Sequence, residues 1–253
     1  MQTPSHNNER RMKMPYYYGY GLDWTYLVIV LPCIILSMWA SSSVNSTFKK
    51  YAKVISYRRI TGAEAAQRVL YANGVRGVRI ERVSGNLTDH YDPKTNVIRL
   101  SDSVYDSASV AAIGVACHEA GHAVQYAESY GPIKLRAAII PITNIGSKLA
   151  MPLILIGVLL SFLGNFSYAL VDLGIACFSL SLVFQLITLP VEFNASRRAM
   201  AAIEDGNILS AEEQRGAKKT LKAAAMTYVA ATAVALAQLL RLILLFGGRR
   251  RSD

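Results

Sequence analysis

The chain has 253 residues, of which 52% are hydrophobic and only 17% charged, where an ordinary soluble domain carries about 25% charged residues. This composition excludes a disordered chain, a collagen-like chain and an ordinary soluble domain, and it fits a membrane protein with a modest polar part. The formal net charge of +10 points to an anionic surface, and the three cysteines (Cys33, Cys117, Cys177) contain no CxxC pair and offer no disulfide framework.

In chain order, residues 1–23 read as an N-terminal tail containing the run Tyr16-Tyr-Tyr-Gly-Tyr20, suited to a membrane interface. The apolar block 24–40 is a first transmembrane helix, with Trp24, Tyr26 and Trp39 near its ends as interface anchors. Small residues over 37–43 would also suit a cleaved signal peptide, but the long apolar run and the long tyrosine-rich stretch before it favour an uncleaved anchor. Residues 41–143 are the sizeable polar region. Within it, 48–55 reads as a basic interfacial helix. Thr61-Gly-Ala-Glu64 is a capping box opening a helix that Asn73-Gly74 ends. Val78–Val83 alternates apolar and polar residues, as a half-buried strand does, and Asn96–Leu100 reads as a second strand; together they predict a short β-hairpin. A helix follows over about 109–126. Residues 144–189 form a transmembrane hairpin, its two apolar runs split by Gly164-Asn165. Residues 190–223 are polar, with Pro190 marking a helix start, 224–246 is a fourth transmembrane helix, and 247–253 is a basic tail.

Four spans put both termini and the hairpin tip on one side. That side carries Arg10, Arg11, Lys13 and Arg249 to Arg251; the other carries more, including Lys49, Lys50, Lys53, Arg58, Arg59, Lys134, Arg136, Lys148, Arg215, Lys218, Lys219 and Lys222. The richer side is expected in the cytoplasm. The basic excess is thereby a topology signal and a contact for anionic lipid headgroups, and no nucleic-acid motif stands against that reading. Of the ionisable residues inside apolar blocks, Arg241 is expected to snorkel to the interface and Asp172 to be solvated near the hairpin tip.

The 109–126 helix contains His118-Glu-Ala-Gly-His122. Residues four apart share a helix face, so both imidazoles can hold one Zn²⁺ while Glu119 reaches a water on the metal. A catalytic zinc needs a third protein ligand and keeps its fourth position for water, whose pKa it lowers to about 7. A bare HExxH recurs by chance. Here, however, the chain has four histidines in all, two of them at this spacing, and apolar flanks (110–117, Ala123, Val124) that predict a buried helix. An unpaired buried His-Glu-His set would be costly. The third ligand is expected to be a His, Glu or Asp from another element. Glu192 is the candidate because two spans return the chain to the His118 side; the competing reading is an acid at a helix start. Glu204, Asp205, Glu212 and Glu213 lie in a charged, easily solvated stretch. Cys117 points to another side of the helix and reads as a small core residue.

The segments Tyr16–Asp23, Ser46–Lys50, Thr61–Ala66, Leu87–Pro93 and His118–Gln125 resemble the YugP-like family of bacterial, membrane-embedded neutral zinc metallopeptidases, nearly along the whole chain. The resemblance implies Zn²⁺ at His118 and His122 with Glu119 as general base. It also implies a mainly α fold: four transmembrane helices with a small α+β, zincin-like catalytic domain over 41–143. A more distant similarity, to HtpX-type membrane proteases, places their ligand motif on Glu192-Phe-Asn-Ala-Ser196, with Ser196 where those relatives have Asp, so that Ser196 becomes the partner of a ligand imidazole. His90, Arg197 and Arg198 are the candidates for steadying an oxyanion. The expected activity is zinc-dependent hydrolysis of peptide bonds in membrane or membrane-proximal proteins. The alternatives are a catalytically silent zinc-binding adaptor for other membrane proteins, with His90 closing the fourth zinc position, and a transporter built on Asp172.

Overall fold

The computed structural model describes residues 23–247. The Tyr16–Tyr20 run, His6 and the terminal arginines lie outside them. Tyr26–Val30 is a π-helical turn that leads into α1 (Leu31–Tyr51). The polar part follows with α2 (Gly62–Ala72), β1 (Arg79–Val83), β2 (His90–Asp92), β3 (Val97–Ser101) and α3 (Val110–Ala127). Then come α4 (Gly131–Leu159), a 3₁₀ turn (Ser161–Leu163), α5 (Asn165–Asp205) and α6 (Ala211–Phe246). Among the described residues, four helical stretches are long and apolar enough to cross a membrane: Tyr26–Tyr51, Gly131–Leu159, Asn165–Asp205 and Ala211–Phe246.

Local chemistry explains several boundaries. Thr61 Oγ1 accepts from Glu64 N–H while the Glu64 carboxylate accepts from Thr61 N–H, so the expected capping box is formed; Ser210 and Glu213 build a second one at the start of α6. Ser109 caps α3 by accepting from Ala112 N–H.

The strands differ from the expected hairpin. β1 pairs with β3 in parallel, Arg79 opposite Val97, so they cannot be the two arms of one hairpin. The antiparallel partner of β3 is β2, His90 opposite Arg99, and the sheet order is β1-β3-β2. The turn-rich stretch before Pro93 supplies this short extra strand. Asp92 Oδ1 accepts from Lys94 N–H and its Oδ2 accepts from Thr95 Oγ1, closing the turn that returns the chain into β3. These hydrogen bonds, with Arg99 beside it, hold the Asp92 carboxyl at about 2. β3 is the buried central strand. Its Ile98 and Leu100 join Val69 and Leu70 of α2, Ile113 and Val124 of α3, Ile203 of α5 and Leu221 of α6 in the core under the sheet.

Pro190 does not start a helix. α5 runs through it for 41 residues. A proline costs one ladder hydrogen bond, which a helix embedded among neighbours tolerates. Arg241 has a specific partner: its guanidinium lies 3.3 Å from Asp23 Oδ2 and over the Tyr26 ring, tying the end of α6 to the start of the first span.

Small residues set the helix spacing. A Cβ on Gly157 would meet Ser167 O at 2.8 Å and one on Gly174 would meet Ala150 O at 2.9 Å, so α4 and α5 form a close hairpin through backbone approach. On α3, a Cβ on Gly121 would meet Ala195 O of α5 at 2.9 Å. That contact brings α5 against α3 where the two histidines project. Gly121→Val is therefore expected to destabilise the protein by about 1–3 kcal/mol through overpacking, read as a lower thermal midpoint in detergent. Gly114→Ala, whose Cβ would meet Ala217 Cβ at an ordinary 3.4 Å, is expected to be near neutral.

Candidate metal centre

His118 and His122 sit one turn apart on α3, their ring centroids 4.7 Å apart and the rings nearly perpendicular. Glu192 faces them from α5, almost fully buried. Its Oε2 is 3.3 Å from His118 Nε2 and 3.5 Å from His122 Nε2, yet accepts no well-directed hydrogen bond from either. Among the described residues, these three form a group of ligand-type atoms lying within 4.8 Å of one another. Two donors each about 2.1 Å from a tetrahedral zinc lie about 3.4 Å apart, so the spacing fits Zn²⁺. A buried carboxylate oxygen with no hydrogen bond, facing two imidazole nitrogens, is the arrangement a cation relieves.

The surroundings orient each donor. Arg136 of α4 donates through Nη1 to Glu192 Oε1 at 3.1 Å, occupying one carboxylate oxygen and leaving Oε2 toward the histidines. Gln125 is fully buried, and its Nε2 donates to Val191 O and to Asn194 Oδ1, both at 2.9 Å. The amide orientation is thereby settled, so Gln125 Oε1 faces His122 Nδ1 at 2.9 Å and accepts a hydrogen bond from its N–H. With Nδ1 protonated, His122 Nε2 carries the free lone pair. Ser196 Oγ is 3.2 Å from His118 Nδ1 and can act on that ring in the same way. Burial alone would lower the His122 pKa, but contact with Glu192 and the charge of Glu119 outweigh it, and the imidazole is raised above its ordinary value.

Glu119 is buried beside the three donors, and the centre lies between two cavities. One, about 350 Å³, is lined by Ser41, Val44 and Asn45 of α1 and by Leu221, Ala224 and Ala225 of α6. The other, about 260 Å³, lies under β2 and α4, with His90, Tyr91, Tyr126 and Arg136 in its wall. Asp89, His118, Glu119, Glu192 and Tyr228 line both. Asp89 accepts from Ser101 N–H and Oγ, which fastens the segment before β2 to β3; burial raises its carboxyl above the usual range.

The other expected residues divide. His90 is exposed on the cavity wall, its ring bonded to Thr88 O at 2.8 Å, and it is not part of the ligand group. Arg198 turns away to Asn194 Oδ1 (2.7 Å) and Glu128 (2.7 Å), and Arg197 is exposed. Glu204 and Asp205 lie at the far end of α5, both exposed. Cys117 is in the core, where burial pushes its thiol up to about 12. Sequence reasoning missed Gln125, Asn194, Arg136 and Tyr228. Gln125, three residues beyond His122, carried a local signal; the others come from separate helices and carried none.

Residues 26–247 match the model of a family described as "Putative neutral zinc metallopeptidase", whose metal is zinc. The chain is 48% identical over 221 residues, 87% of its own length and 96% of the relative's, to "Putative membrane protease YugP" of Bacillus subtilis (strain 168). No solved structure matches it significantly.

Replacing Gln125 tests how much the buried amide does. Gln125→Leu leaves the buried His122 Nδ1 without its acceptor and removes the bridge to Val191 O and Asn194, which is expected to cost about 1–3 kcal/mol of stability and roughly 10–100-fold in zinc affinity. Thermal melting and competition with a chelating dye measure the two effects.

Proposed function

The chain belongs to this zinc metallopeptidase family of multi-pass membrane proteins, and from that premise we propose that it hydrolyses peptide bonds of membrane or membrane-proximal proteins. The observation that carries the proposal is the unpaired Glu192 Oε2 facing His118 Nε2 and His122 Nε2 with Glu119 alongside. His118, His122 and Glu192 are the proposed zinc ligands. Zinc, when bound, supplies Lewis-acid polarisation and a water acidified to a pKa of about 7.

The chain's own residues do the rest. Glu119 takes the proton from the attacking water at a carboxylate oxygen and passes it to the leaving amine. Arg136 and Gln125 keep the Glu192 carboxylate and the His122 ring in place, so little reorganisation accompanies the reaction. Tyr228, in the wall of both cavities, has a hydroxyl suited to hydrogen-bonding the developing oxyanion, a role for which Arg198 is turned the wrong way. β2 is an edge strand in the wall of the same cleft, so an extended peptide can add to its free edge. The larger cavity, between α1 and α6, supports a substrate that reaches the centre from the membrane boundary. The adaptor reading needs a fourth protein ligand, and His90 does not join the group that would supply it.

Glu119→Gln is expected to keep zinc and lose about 10²–10⁴-fold in hydrolysis, measured with an unfolded reporter protein beside metal analysis. Glu192→Ala is expected to lose most zinc together with activity, whereas Glu204→Ala and Asp205→Ala retain both. Cleavage by Glu119→Gln at the wild-type rate would refute the mechanism.

The sheet and α3 are proposed to face the cytoplasm, on the strength of the lysine and arginine excess on that side. An exposed Ser84→Cys, in a background with Cys33 and Cys177 changed to Ser, is expected to resist a membrane-impermeant thiol reagent in intact cells and to react after lysis. Labelling of intact cells would reverse the orientation.

A further inference from the structure

The outer face of the α1–α6 pair carries a groove of about 280 Å³ that the proposed chemistry does not use. Its two ends differ in kind. Lys50, in the last turn of α1, stands at one end with Lys219 and Lys222 of α6, all three exposed; Trp39 and Met226 line the other end, with Thr47 between. Among the described residues, no carboxylate lines the groove. Lys50 and Trp39 are eleven residues apart on one helix, which is about 16 Å along its axis.

In the four-span reading the apolar run of α1 ends before Lys50 and that of α6 begins after Lys222, which puts this end of the groove at the membrane boundary. Three ammonium groups therefore sit at headgroup height above an apolar trough open to the acyl region. We propose that this groove binds one anionic phospholipid, with its phosphate among Lys50, Lys219 and Lys222 and an acyl chain along Trp39 and Met226. The charge selects the ligand. A zwitterionic choline headgroup brings its own cation to the lysines, whereas an anionic headgroup brings none. A soluble phosphate satisfies the lysines but leaves the apolar end uncovered. The bound lipid would brace the two helices whose inner faces form the larger cavity beside the metal centre.

The test uses the full chain in lipid nanodiscs. The chain has two tryptophans, so Trp24→Phe leaves Trp39 as the reporter. Brominated phosphatidylglycerol is expected to quench Trp39 at about a tenfold lower mole fraction than brominated phosphatidylcholine, a selectivity within reach of three lysines at an anionic surface. The triple variant Lys50→Gln, Lys219→Gln, Lys222→Gln is expected to remove the difference. Its counterpart Arg58→Gln, Arg59→Gln, Lys218→Gln, which removes equal charge outside the groove, is expected to keep it. Equal quenching by the two lipids in the Trp24→Phe protein overturns the proposal, as does equal loss of selectivity in both triple variants. If glycerol 3-phosphate abolishes the selectivity, the lysines hold a soluble phosphate and the lipid assignment is wrong. None of these readouts depends on hydrolysis, so the outcome stands apart from the fate of the proposed protease activity.

Discussion

A buried carboxylate aimed at two imidazoles is the constraint around which this molecule is arranged. Glu192 is almost fully buried, with Oε2 between His118 and His122 and only Oε1 engaged by Arg136. Left in that state the site carries the cost of an incompletely satisfied buried charge. A divalent cation removes the cost, because all three donors then face positive charge at a spacing that suits zinc. The fold delivers these groups from far apart in sequence. The α4–α5 hairpin leaves the polar side and returns, and the Gly121–Ala195 contact closes the remaining distance between α3 and α5.

Rigidity around the donors comes from polar groups that are themselves paired. Gln125 is anchored by Val191 O and Asn194, Asn194 also accepts from Arg198, and Arg198 meets Glu128 at the end of α3. The chain of contacts thus crosses from α3 to α5 and back. A fully satisfied network of this kind specifies one arrangement of the two helices, whereas apolar packing alone tolerates sliding. It also explains why Arg198 is unsuited to a reacting carbonyl: its guanidinium is committed to holding the helices together.

The relation of the centre to the membrane follows from the same helices. α1 and α6 contribute their inner faces to the larger cavity beside Glu119 and their outer faces to the lysine-ended groove. One pair of helices therefore lines both the cavity beside the metal centre and the groove proposed to hold a lipid. In the proposed function this is the route by which a membrane-proximal chain reaches the cleft, with β2 as the strand that receives it.

Much of this was legible in the residues themselves. Spans are announced by long apolar runs because a helix in lipid must satisfy its own backbone; the capping box at Thr61 acts within four residues; and the spacing of His118 and His122 is a helical repeat. The family resemblance also rested on contiguous segments. What needed the tertiary structure was everything that depends on contacts between distant parts. The parallel β1–β3 pairing is not encoded in either strand's alternation, which a hairpin would show equally well. Pro190 looked like a helix start because, locally, proline is one; only packing among neighbouring helices carries α5 through it. Arg241 had a partner in Asp23, more than two hundred residues earlier in the chain, that no local pattern could indicate. Arg136, Tyr228 and the facing of Glu192 toward two histidines likewise come from helices that meet only after folding. The sequence by itself determined which groups could bind a metal and which segments could cross a membrane, because those properties reside in side-chain type and local period. The tertiary structure decided which of those groups share one buried point, because that depends on how closely glycine and alanine let the helices approach.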